Sequence, residues 1–218
     1  MFGVLVVVSS IEQYNNDPEA YLASNPLEIR DELLKSIGRN TEWKIEDLTG
    51  ELAGLKQGRS YEVGKSLFAA ASCIGCHKLG GEGKEFGPDL SKLDDKKMTA
   101  DSILKSLLMP SAEIEDKYRA RIFQMDSDAI ITGMVVEESD KEIKVMVDPL
   151  AKGDPTVLDK DEIVGQKVSS VSTMPQGLLN KLTKEEILDL MAYVLARGDK
   201  KHPAYQGHEH GGHNHGDH

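Results

Sequence analysis

The sequence predicts a mainly α-helical protein carrying an inserted small antiparallel β-meander, with a helical arm ahead of both. Three observations carry this. Val63, Leu67, Phe68 and Ala71 share one face of a helix that delivers Cys73 at its end. Near the other end, Ile187, Leu190, Met191 and Val194 make the apolar face of a helix opened by a capping box, Thr183 with Glu186 three residues on. Between them the period changes: Arg121 to Met125, Ile130 to Val136 and Ile143 to Val147 are strand-like runs divided by the turn signals Asp126-Ser127-Asp128 and Ser139-Asp140-Lys141.

Taken in order, residues 1–57 form the helical arm. Its opening run, Met1 to Val8, is rich in β-branched residues and reads as a buried strand or the stub of something longer. It lacks a basic stretch before it and a small-x-small cleavage site after it, so no export signal is evident. Helical patches follow at Pro26 to Ile37 and Ile45 to Leu55, separated by a polar stretch with the only tryptophan, Trp43. Residues 58–117 and 169–200 are assigned to one helical domain, which the chain leaves and re-enters. In its first half, Gly64 lies on the apolar helix face, where glycine costs about 1 kcal/mol against alanine and implies a close neighbouring backbone. A loop with Gly80, Gly81, Gly83 and Gly87-Pro88 comes next, and Thr99 caps a helix to Leu108 that Pro110 stops. Residues 118–168 are the inserted β-unit, completed by the loop Gly153-Asp154-Pro155 and the runs Thr156 to Leu158 and Ile163 to Val168. Gly198 ends the last helix, and residues 201–218 form a His/Gly-rich tail unable to bury a core.

The 218 residues are 39% hydrophobic and 29% charged, a balance that suits a folded chain. With 26 basic against 37 acidic residues the net charge is -11, which excludes the basic footprint of a nucleic-acid or anionic-membrane binder and favours a basic protein partner. No apolar run approaches the roughly 20 residues of a spanning helix. The two cysteines, Cys73 and Cys76, rule out a disulfide framework and mark a single site.

Cys73-Ile74-Gly75-Cys76-His77 is the C-x-x-C-H pattern of covalent c-type haem attachment, in which two thiols two residues apart reach the two vinyl groups of one porphyrin and the adjacent imidazole falls under the iron. A thioredoxin-like pair would need a βαβ context, and helix precedes Cys73 while glycine-rich loop follows it. A zinc site would need four ligands, and the remaining histidines, His202, His208, His210, His213, His215 and His218, all lie in the tail.

With no second histidine outside the tail, a sixth ligand to the iron is sought among the methionines. Met98 begins a polar helix; Met109, Met125, Met134, Met146 and Met191 fall on element faces where packing is the competing role. Met174 alone lies in an irregular segment, Ser172 to Gly177, and Pro175 holds it extended so that its thioether can point inward. Met174 is therefore the candidate distal ligand, weighed against an ordinary core methionine.

Gly64-x-x-Leu67-Phe68, Cys73-x-x-Cys76-His77, Gly87-Pro88-Asp89-Leu90, Met174-Pro175 and a final amphipathic helix with Tyr193 resemble a class I cytochrome c. More narrowly, GRSYEVGKSLFAAASCIGCHKLGGEGKEFGPDLSKL, LMPSAEI and MPQGLLNKLTKEEILDLMAYVLARGD resemble the haem-binding module of planctomycete-type multidomain proteins, over about residues 20 to 205. The resemblance implies a class I cytochrome c-like helical domain with one covalent haem c, His77 and Met174 on the iron, and Pro88 and Leu90 beside the cofactor. It also implies that the Pro88 carbonyl accepts the free N–H of His77, and that Gly64 and Phe68 pack against Leu190 and Tyr193. Residues 118–168 then account for the long separation of His77 from Met174, as a unit that packs beside the haem domain and supplies no ligand.

Two functions follow. Saturated by His77 and Met174, the iron would be a one-electron carrier and not an enzyme. With a labile or open sixth position it would be a haem enzyme, or a sensor binding peroxide or a diatomic gas. The partners are redox proteins of basic character, with an upstream domain of a larger protein as a further expectation. For the tail, a divalent-metal site at His208, His210, His213, His215 and His218 and an incidental low-complexity end stand equal. Thioether attachment takes place outside the bacterial cytoplasmic membrane, so the expected compartment is the periplasm or its equivalent.

Overall fold

The computed structural model describes residues 39–151 and 153–207. The strand expected at Met1 to Val8, the helix expected at Pro26 to Ile37 and the tail histidines from His208 onward lie outside the described residues. Four α-helices are described: α1 (Ile45–Thr49), α2 (Tyr61–Ala70), α3 (Ala100–Leu108) and α4 (Lys184–Leu195). A two-stranded ribbon, β1 (Lys78–Leu79) with β2 (Glu82–Gly83), follows the cysteine pair. Between α3 and α4 lies a five-stranded antiparallel sheet: β3 (Arg121–Met125), β4 (Ile130–Glu138), β5 (Glu142–Met146), β6 (Thr156–Asp159) and β7 (Ile163–Val168).

This corrects the mainly α expectation. Of the described residues 33% are helical and 20% lie in strands, so the fold is not that of a mainly-α class I cytochrome. The lengths explain the difference. Among the described residues the longest helix has 12 residues, whereas β4 alone runs for 9. Ile45 to Leu55, expected as one helix, is divided at Gly50 into the five-residue α1 and a 3-10 turn, Leu52–Lys56. Glycine there lacks the side chain that would favour continuing the helix.

Helices α2 and α4 cross at Gly64. A Cβ on that residue would overlap the Asp189 carbonyl oxygen and lie 2.8 Å from Tyr193 Cβ, so hydrogen at this position is what permits the approach. Around the crossing, the Tyr193 ring meets Phe68 at 5.7 Å and Tyr61 at 5.5 Å between centroids, spacings at which aromatic edges and faces attract. Each helix begins on a hydroxyl cap: Ser60 accepts from Val63 N–H, and Thr183 with Glu186 forms the full box. Leu67, Leu104, Leu179, Leu182, Ile187, Leu190 and Met191 fill the core between the helices.

The sheet has its own core of Phe123, Met125, Ile143, Val145 and Leu158, on which Ile131, Val135 and Ile163 pack. Strand order is β6-β5-β4-β3-β7, so the chain runs out by hairpins and β7 returns to the free edge of β3. Register shifts at Gln124/Met125 and Val135/Glu137 are bulges, which bend a strand and increase its twist. A bent sheet can then bury one face on itself.

Candidate functional site

The site is built at the end of α2. Ala71 closes that helix, Ser72 takes a left-handed conformation (φ 63°), and Cys73–Gly75 form a 3-10 turn. The turn is tied by Cys76 N–H and His77 N–H, both donating to the Cys73 carbonyl at 3.1 and 2.8 Å. The glycine loop then folds back: Lys84 N–H donates to Ile74 O at 3.2 Å and Gly87 N–H to Cys76 O at 2.7 Å. Two glycines make this return possible. Gly83 has φ 97°, and a Cβ on it would overlap the His77 carbonyl oxygen; one on Gly87 would lie 2.8 Å from His77 Cε1 and 3.1 Å from Nδ1.

His77 Nδ1 lies 3.0 Å from the Pro88 carbonyl oxygen. A carbonyl only accepts, so Nδ1 carries the proton and the Nε2 lone pair is left over. Burial holds the imidazole below its ordinary pKa, and the Pro88 bond, which favours the protonated ring, is the smaller influence. The ring is therefore neutral near pH 7, with one nitrogen oriented and the other available as a donor to a metal.

Cys73 and Cys76 are free thiols, both half-buried. Burial pushes the Cys73 thiol up to about 12. Burial also raises Cys76, against Lys84, which lowers it; Asp148 adds to the rise. Both are thus protonated at neutral pH. Neutral thiols two residues apart on one turn, an imidazole fixed through Nδ1 with Nε2 open, and a Gly87 cradle that a methyl group would fill together fit a covalently attached haem.

The remaining expected residues are placed as follows. Leu90 is buried in the helical core, and Cys73, Met98 and Met174 pack against that same core. Met174 N–H donates to Ser172 Oγ at 3.1 Å, and Ser172 N–H donates to Ser111 Oγ at 3.0 Å, just beyond α3. The loop after Leu90 is held to the end of α4 by Arg197, which donates to Ser91 O, Leu93 O and Asp95 Oδ1 at 2.8, 2.9 and 2.7 Å. Nothing local in the sequence marks Arg197 or the Ser111 anchor, and the glycine content of the loop, Gly83 included, marks irregular structure without showing its close approach to His77. Among the described residues no group of three or more His, Cys, Asp or Glu side chains could hold a metal ion, and no helix is long and apolar enough to cross a membrane.

A cytochrome c family model matches residues 61–154. The match takes in α2, the cysteine turn, His77 and the sheet as far as the β5–β6 loop, and ends before Met174. No curated protein matches the chain. The family match supports a haem-binding c-type cytochrome module with an electron-transfer role, and does not extend to the planctomycete type.

Proposed function

We propose that the chain is a one-electron carrier of the planctomycete-type cytochrome group, with one covalent haem held by Cys73 and Cys76 and ligated by His77 and Met174. The observation that carries this reading is the His77 ring: fixed through Nδ1 on Pro88 O at 3.0 Å, it keeps Nε2 for a metal, directly after a turn that carries two free thiols. When bound, the haem supplies the ferric/ferrous couple. The two thiols anchor it, the Pro88 carbonyl orients the imidazole and raises its basicity, and Leu90 supplies an apolar wall. Met174 brings a soft thioether from a segment fixed by Ser111 and Ser172, and Met/His ligation favours the ferrous state. Iron bound by two protein ligands keeps no position for a substrate.

The electron would pass to or from basic redox proteins, attracted by a net charge of -11. The proposed compartment is the periplasm, where thioether attachment takes place. Replacing Met174 with alanine tests the ligation: the Met-to-ferric charge-transfer band should vanish and the ferrous protein should bind carbon monoxide. Met98 packs on the same core and is the control. Met98→Leu should leave the band in place; loss of the band there with retention in Met174→Ala would reassign the ligand.

A further inference from the structure

The sheet reaches the site at two separate places. Leu150, in the loop between β5 and β6, occupies the space over Gly75 in the cysteine turn, where a Cβ would overlap Leu150 Cδ2. On β4, Met134 is buried and its sulfur accepts from Thr173 Oγ1 at 3.8 Å, one residue before Met174. The chain leading from the sheet into that segment is also bonded back, Ser169 N–H donating to Ala120 O at 2.8 Å, at the entrance to β3. A unit that merely sat beside the helical part would need neither contact.

We propose that the five-stranded sheet is a clamp on the haem site, setting the cysteine turn through Leu150 and the Met174 segment through Met134 and Thr173. Met134, Thr173 and Leu150 are then positioning residues. The two halves of the site come from chain segments roughly a hundred residues apart, and β4 and β5, paired at Met134 with Met146 and Val135 with Val145, join the two points of contact. The effect of Met134 and Thr173 on the haem rests on the proposed reading of Met174 as the distal ligand; the hold of the sheet on the two backbone segments does not.

The test uses the haem-loaded protein and three variants, Leu150→Ala, Met134→Ala and Thr173→Val, with Val157→Ala at an exposed sheet position as control. Hydrogen exchange is read at the Gly75 and Cys76 amides, bonded to Ser72 O and Cys73 O, and at the Ser172 and Met174 amides, bonded to Ser111 Oγ and Ser172 Oγ. Leu150→Ala should speed exchange in the first pair about tenfold, and Met134→Ala or Thr173→Val in the second pair by about the same factor. The latter two should also weaken the Met-to-ferric band and shift the midpoint potential, which Val157→Ala should not. Thr173→Val leaves the sheet core untouched, so it decides the matter if Met134→Ala does not fold. Unchanged exchange in both pairs overturns the clamp. If exchange responds while the band is indifferent to Met174→Ala, the clamp stands and the ligand assignment falls.

Discussion

Gly87→Ala isolates the contact that orients His77. Gly87 is outside the left-handed region, so alanine strains no backbone there and only the added methyl matters. That methyl would lie 2.8 Å from His77 Cε1 and 3.1 Å from Nδ1. Carbon atoms meet comfortably at about 3.5 Å or more, so the ring must retreat by roughly 0.7 Å. A retreat of that size takes the Nδ1···Pro88 O bond, now 3.0 Å, to the edge of hydrogen-bond reach. Overpacking costs about 1–3 kcal/mol and the lost bond about 1 kcal/mol, giving roughly 2–4 kcal/mol in all. Denaturant unfolding of the haem-loaded protein measures the stability change, and redox titration measures the effect on the iron, since loss of a partner that orients a metal-binding histidine commonly costs about 10–100-fold in affinity or activity. A Gly87→Ala protein within about 0.5 kcal/mol of wild type, with an unchanged potential, would refute the cradle.

Gly64→Ala should destabilise the protein by up to about 2 kcal/mol by denaturant midpoint while leaving the haem spectrum unchanged, because the clash with Asp189 O and Tyr193 Cβ costs about 1–3 kcal/mol against a helix-propensity gain of about 1 kcal/mol. Thr183→Ala should cost about 1 kcal/mol through loss of the α4 cap, read in the same assay. In haem-free protein the depressed pKa of His77 makes stability complete above about pH 6.5 and progressively lost below it, as the unfolded chain takes up the proton first; His77→Gln should remove that part of the acid slope. The raised pKa of Cys73, about 12, should make it the slower of the two thiols to alkylate at mildly alkaline pH, measured by peptide mass mapping of haem-free protein.

What was legible in the chain was local. The Thr183/Glu186 box, the Thr99 cap and the runs of β3 to β7 depend on residues within one or two turns, and the described elements fall within two residues of those runs. The fold class is not legible in the same way, because Gly50 divides the helix-like patch Ile45 to Leu55, and because β4 continues through Val136 to Glu138 past a bulge, where alternation breaks. At the site, Cys73, Cys76 and His77 could be recognised from spacing alone. Leu150 could not: it touches Gly75 across 75 residues of chain and leaves half its surface exposed, so neither period nor burial marks it. The same holds for Arg197, whose three bonds reach the loop after Leu90 from more than a hundred residues away.

The central claim is that both thiols hold one haem covalently, with His77 beneath its iron. The most direct measurement is the intact mass of the purified native protein, taken with its pyridine-haemochrome spectrum and repeated on Cys73→Ala and Cys76→Ala. The native protein should have a mass above that of the chain by one haem, resist extraction by acidic butanone and show the spectrum of two thioether links, with one link in each single variant. A mass equal to the chain alone, or a haem that acidic butanone removes, would contradict it.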